Sequence, residues 1–303
     1  MILQLFSIFI DVVTPVFALV LIGYFAGPRL DLQARTLSRV AYFIFAPAFI
    51  FDIISRADVP FSAALQMTGY SFVVHLACAA VGFGVAKLLG RSSEMAGAYV
   101  LIAVFGNVGN FGLSMIDFRL GEEALVIGTI YFLAILVIAF IISVAAASWI
   151  RGSGGIGALL SVFKTPALLA LWPALLFVAT PLDVPLVASR ITSLLGSAMI
   201  PLMLVTLGVQ LGEVGKFEIN LDVVMASSVR LLVAPILATI LVVPFGLVGF
   251  ERDVGILQAS MPAAVLCTII AMEYDLVPEF VTTTVLFSTI ASLLTLTVVL
   301  SIV

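Results

Sequence analysis

The chain has 303 residues, of which 63% are hydrophobic and 10% charged, with a net charge of -4; its mean hydropathy is +1.32. Soluble domains average about 25% charged residues, so this composition excludes an ordinary soluble fold and predicts an all-α polytopic membrane protein. No basic patch is present, so nucleic acid is not an expected partner. Cys78 and Cys267 each lie in apolar runs and read as small buried hydrophobes. The chain carries no HExxH, no GxSxG elbow and no phosphate loop. Neither enzyme chemistry nor a bound metal or cofactor is therefore expected.

Apolar runs near the length of a membrane span recur throughout. Segment 1 is expected at about Leu5–Phe25, stopped by Gly27-Pro28, and with no basic leader or cleavage site it reads as a retained span. Segment 2 covers about Thr36–Ile54 with Pro47 near its centre, and segment 3 about Leu65–Leu89. Segment 4, about Met95–Phe118, is interrupted by Phe105-Gly106-Asn107-Val108-Gly109-Asn110-Phe111-Gly112-Leu113. Glycine weakens a helix and asparagine competes for its backbone bonds. Inside a bilayer such a break is tolerated only where protein or a polar cavity covers it. The same three glycines are spaced for a close helix crossing, so a solute site and plain packing both remain open. Segment 5 covers about Ala124–Trp149.

A glycine-rich stretch, Gly152–Gly157, divides the chain at its midpoint. Beyond it segment 6 is expected at about Pro166–Ala179, segment 7 at Ile191–Leu211 with Pro201, segment 8 at Leu221–Pro244, segment 9 at Val254–Ala271 and segment 10 at Phe280–Val303. Segment 9 is broken at Ser260-Met261-Pro262-Ala263, as segment 4 is. Ten transmembrane helices with an odd number in each half imply two inverted five-helix repeats: residues 1–150 and 165–303, joined by a linker at 151–164. Odd-numbered connections carry Arg29, Arg35, Arg39, Lys87, Arg91, Arg151, Lys164 and Lys216, against Arg56, Arg119, Arg190 and Arg252 in the even ones. That bias places odd connections in the cytoplasm and both termini on the periplasmic side.

Few residues inside the spans have chemistry to offer. Gly106, Asn107, Gly109 and Asn110 of segment 4 are expected to shape one half of a substrate site, with Gln258, Met261 and Pro262 of segment 9 shaping the other. Exposed N–H groups at the start of a half-helix favour an anion. Arg230 in segment 8 either reaches to the interface or faces inward and offers donors to a carboxylate. Asp11, His75, Gln210, Thr268 and Glu273 are candidates for ion coupling or for supporting the site. Each has a plainer reading as an interfacial charge or a packed polar residue. With no nucleotide-binding segment, transport draws on a gradient of H+ or Na+, or runs down the solute's own gradient.

Several motifs together resemble the auxin efflux carrier family, in particular its small bacterial permeases for malonate, malate and related carboxylates. They are Phe45-Ala46-Pro47-Ala48-Phe49, Gly106 to Gly112, Ile200-Pro201-Leu202-Met203 through Leu211, Arg230 to Pro235, Met261-Pro262-Ala263-Ala264, and Ser288-Thr289 with Ser292. The resemblance implies a fold similar to the bile acid:sodium symporters, in which segments 4 and 9 are discontinuous and cross. It also implies a scaffold of segments 1, 2, 6 and 7, through which a homodimer forms, and a transport domain of segments 3, 4, 5, 8, 9 and 10 moving by an elevator-like step. The expected function is secondary transport of a small mono- or dicarboxylate across the bacterial inner membrane. A sodium-coupled carrier of a larger amphiphilic anion, and a transporter-like membrane receptor, are the alternatives. Plant relatives carry prolines at both crossings and a long central loop. Here Gly109-Asn110 stands in place of Pro-Asn, segment 9 lacks Asn-Pro-Asn and the loop is short, which favours a small organic anion over auxin.

Overall fold

A computed structural model describes residues 6–57, 59–151, 164–180, 182–213 and 218–303. The stretch 152–157 and Lys216 lie outside the described residues. The described residues are helical nearly throughout. The helices are α1 (Phe6–Arg29), α2 (Ala34–Ser55) and α3 (Phe61–Leu88), then α4a (Ser93–Val104), α4b (108–120), α5 (Glu122–Arg151) and α6 (Pro166–Ala179). They continue with α7 (Leu186–Glu213) and α8 (Leu221–Phe245), α9a (Gly249–Ala259), α9b (Leu266–Tyr274) and α10 (Pro278–Val299). Among the described residues, seven helices are long and apolar enough to cross a bilayer: α1, α2, α3, α5, α7, α8 and α10; α4a and α6 are shorter apolar helices. Large side chains such as Leu21, Phe25, Trp172, Leu194 and Ile240 are exposed on their outer faces, as a lipid-facing surface requires.

Helices α1, α2, α6 and α7 pack chiefly on one another, and α3, α4, α5, α8, α9 and α10 make a second group. In the first group α1 and α7 approach backbone to backbone. A Cβ at Gly208 would strike the Val20 carbonyl oxygen and the Tyr24 nitrogen, and one at Gly23 would strike the Val205 carbonyl, so glycine sets the helix separation. In the second group α4a is enclosed on all sides, with every residue from Ala96 to Val104 buried. Polar pins join the helices of this group. Tyr99 Oη donates to Asp222 Oδ1 at 2.9 Å, the Arg91 Nε lies 2.8 Å from the same oxygen, and Tyr70 Oη donates to the Ala238 carbonyl at 2.9 Å.

Proline shapes three of the helices in the same way. Phe9–Val13, Ala41–Phe45 and Val229–Val233 form π turns, and Pro15, Pro47 and Pro235 each stand two residues beyond. Proline lacks an N–H and its ring crowds the carbonyl four residues back. The wider turn relieves the crowding: the residue just before each proline donates five residues back, Thr14 to Phe9, Ala46 to Ala41 and Ala234 to Val229. Pro201 differs from Pro47, since it sits inside the α-helix Leu186–Glu213. Gly27-Pro28 does not stop segment 1, whose helix runs on to Arg29; within a last turn proline removes only one bond. Helix α9a begins earlier than hydropathy suggests, because its first turn carries Glu251 and Arg252.

Candidate functional site

The centre of the molecule is a crossing of two broken helices. Helix α4a starts at the Ser92 cap, whose Oγ accepts from the Met95 N–H at 3.3 Å, and ends at Val104. Phe105 then turns extended (φ -84°, ψ 91°), and helix resumes at Val108. Helix α9a ends at Ala259, and the chain stays out of helix until Leu266. The two non-helical pieces pair as an antiparallel bridge between Gly106 and Ala263. The Asn107 N–H donates to the Pro262 carbonyl at 2.7 Å and the Ala264 N–H to the Phe105 carbonyl at 2.9 Å. Backbone groups freed by one break are thus satisfied by the other.

Arg230 closes the remainder. It is fully buried, so it does not reach to the interface. Its Nε donates to the Met261 carbonyl at 2.7 Å, Nη1 to Ala103 at 2.8 Å and Nη2 to Ala259 at 3.1 Å. The Ala103 and Ala259 carbonyls lie at the C-terminal ends of α4a and α9a, where the helix dipole leaves negative partial charge, and that of Met261 lies in the break beyond α9a. One planar fork of donors holds both ends together. A Cβ on Gly106 would run into this guanidinium, so glycine is required where the cation meets the crossing.

Gly106 also lines a cavity of about 250 Å³, together with the rest of Phe105 to Asn110, Val265, Leu266, Ser38, Phe132, Met203, Thr206 and Gln210 among others. The N-terminal ends of α4b and α9b border it. The first amides of α4b have no carbonyl ahead of them within their own helix. Asn107 is 5% exposed and its Nδ2 has no hydrogen-bond partner. Gln210 Nε2 donates to Ser38 Oγ at 3.0 Å and its Oε1 is also unpartnered. None of the lining residues is ionisable. The cavity therefore has positive helix ends at its border, an amide residue with an unpartnered nitrogen in its wall and no carboxylate among its described lining residues, which suits a small anion.

The structure brings together only part of the site expected from sequence. Gly106, Asn107, Gly109 and Asn110 line the cavity. Gln258, Met261, Pro262 and Arg230 are not among its lining residues; Met261, Pro262 and Arg230 bond within the crossing instead. Gln258 is fully buried, its Nε2 donating to the Gly128 carbonyl at 3.3 Å and its Oε1 filling the space a Cβ at Gly112 would need. Gln210 lines the cavity, and Thr268 lies at its mouth with Oγ1 3.4 Å from that of Thr282. His75 is buried inside the second group, Nδ1 bonded to the Ser71 carbonyl at 2.8 Å and its ring 5.8 Å from Tyr131. Asp11 is exposed on α1 and accepts from Ser7 Oγ at 2.6 Å. The side chain of Glu273 lies outside the described residues. Ser38, Phe132 and Thr206 carried no sequence signal beyond one hydroxyl or ring in an apolar run.

The profile of the membrane transport protein family matches residues 8–155 and 153–300. The chain belongs to this family. It is the superfamily of the auxin efflux carriers, and a member of it is a multi-pass transporter that moves a small molecule across the membrane rather than an enzyme. Similar proteins include an uncharacterized transporter of Methanocaldococcus jannaschii, 28% identical over 296 residues, covering 94% of this chain and 95% of that one. An uncharacterized transporter of Methanothermobacter thermautotrophicus is 27% identical over 292 residues, with 94% and 95% covered. One of Escherichia coli K12 is 24% identical over 281 residues, with 89% of each chain covered.

Proposed function

We propose that this transporter carries a small organic anion, a mono- or dicarboxylate, seated at the N-terminal ends of α4b and α9b against Asn107. The observation that carries the proposal is a cavity bordered by two helix N-termini, with no ionisable group among its described lining residues and with Asn107, whose buried amide nitrogen has no partner, in its wall. A buried donor left unused costs roughly 1–3 kcal/mol, which a bound carboxylate oxygen recovers. The cavity volume of about 250 Å³ favours a small acid over a large amphiphile.

Alternating access follows from two groups of helices with the site at their seam. In this reading α1, α2, α6 and α7 are the fixed scaffold and the dimer interface, and α3, α4, α5, α8, α9 and α10 move as an elevator. Ten spans in two inverted repeats, odd connections in the cytoplasm and a bacterial inner membrane complete the proposal. Support comes from the two groupings of helices, the two breaks that meet at one point, and the two stretches matched by the family profile. The test is malonate and malate uptake into proteoliposomes, with and without Na+ or a pH gradient, by the native protein, Asn107→Ala and Asn110→Ala. Flux should fall at least tenfold for Asn107→Ala in monodisperse protein. Native binding and native flux for both variants would leave the crossing as packing alone.

A further inference from the structure

The seam between the two helix groups holds three cavities in a row, and their order can be read along four helices. On α7 the lining runs from Ser193–Pro201, to Met203–Gln210, to Gln210–Glu213. On α2 it runs from Phe49–Ile53, to Ser38 and Ala41, to a mouth stripe between Ala34 and Tyr42. Helices α4b and α5 give the same order: Asn110 and Phe132 line the middle cavity, Asp117 and Glu122 the end one. At about 1.5 Å per residue, Asp117 lies roughly 10 Å along α4b from Asn110. The middle cavity shares Ser38, Gln210, Val265 and Ile269 with a mouth of about 960 Å³. The far end has a separate cavity of about 390 Å³.

The two ends carry opposite charge. Arg35 and Arg39, one turn apart on α2, line the large mouth with one carboxylate, Glu213, which accepts from the Ala34 N–H at 3.1 Å. Both arginines are exposed. Neither has an ion pair among the described residues. At the far end Asp52, Asp117 and Glu122 line the cavity, and among the described residues only Asp52 of these three has a cation on it, Arg56 at 2.5 Å. Guanidinium stays charged at any physiological pH, and a charge acts over a Debye length of about 8 Å at physiological salt. Ser38 lies on the same helix within a turn of both arginines, so the field of the mouth reaches the wall of the middle cavity.

We infer that the pathway is electrically polarised from end to end: Arg35 and Arg39 concentrate small anions at the large mouth, and Asp52, Asp117 and Glu122 repel them at the other end. For a carboxylate substrate, which rests on the function proposed above, KM is lower from the arginine side, the side assigned to the cytoplasm. The device cannot shift the equilibrium. At zero gradient Vmax/KM is equal in both directions, so the side with the lower KM also has the lower Vmax.

The potential is measurable without any substrate. Cys78 and Cys267 are fully buried, so single cysteines placed by Ser38→Cys and, at the far end, Ser197→Cys report alone. Their rates of reaction with anionic sulfonatoethyl and cationic trimethylammonioethyl methanethiosulfonate are compared in phosphatidylcholine nanodiscs. The anion-to-cation rate ratio should be at least tenfold higher at position 38 than at position 197. Adding Arg35→Gln and Arg39→Gln should lower it several-fold at position 38 only, and high salt should draw the two ratios together. Equal ratios at the two positions, or a ratio at 38 indifferent to both arginines, overturns the inference whatever the flux assay shows. A polarised ratio in a protein that moves no carboxylate would sink the proposed substrate instead.

Discussion

At the residue scale, Arg230 and Asn107 both belong to the crossing at Gly106 and do different work. Arg230 serves three carbonyls, so Arg230→Met leaves three buried acceptors without donors. Each such loss costs roughly 1–3 kcal/mol, and the variant should unfold many degrees below the native protein in a thermal-shift assay. Arg230→Lys keeps the charge but not the fork and should fall between them. An Arg230→Met protein as stable as native would show that the crossing holds without its cation. Asn107→Ala removes an amide whose nitrogen has no partner, so its melting temperature should stay within a few degrees while substrate binding weakens. Gly106→Ala separates the two roles. Its Cβ meets the guanidinium, and the variant should lose stability and binding together, where Asn107→Ala loses binding alone.

At the element scale, the breaks in α4 and α9 were legible because glycine, asparagine and proline stood where a span needed helix formers. That the breaks pair with each other was not, since the bridge from Gly106 to Ala263 joins positions far apart in sequence through backbone alone. Arg230 was ambiguous for a related reason. Its partners are carbonyls, which every residue has, so no complementary carboxylate marked its destination. Hydropathy also misplaced the start of α9a, because charged residues occupy its first turn. Close packing of α1 on α7 rests on Gly23 and Gly208, and it yields a test. Gly208→Val puts branched carbon against the Val20 carbonyl and the Tyr24 nitrogen. Overpacking of this kind costs about 1–3 kcal/mol or more, so the variant should elute as aggregate or melt early. Gly84→Val, where a Cβ meets nothing within 4 Å, should behave as native.

At the scale of the whole molecule, composition announced the membrane, and the order of motifs announced the family. The grouping of α1, α2, α6 and α7 apart from the rest depends on which faces meet, and single spans with apolar residues on every side do not declare that. Orientation rests on charge. A reporter fused within Gly152–Gly157 should be cytoplasmic and one after Val303 periplasmic; the reverse pattern would overturn the count of basic residues. Residues 302 and 303 lie at the face of the even connections, for the Val303 carbonyl accepts from Arg119 at 2.8 Å and that of Ile302 from Arg252 at 3.3 Å, and both arginines sit beside even connections.

The π turns that precede Pro15, Pro47 and Pro235 also change what the chain can lose. A π turn is an α-helix with one residue too many. Removing one residue from 41–45, for instance the exposed Phe43, returns that turn to α-helical pitch, at the cost of the crowding by Pro47 that the wide turn relieves, and leaves everything beyond it in phase. The same deletion in α3, which runs unbroken from Phe61 to Leu88, rotates all that follows by about 100° and turns its buried face toward lipid. Three of these helices therefore carry a spare residue, a place where the chain can shorten by one without changing which way its helices face.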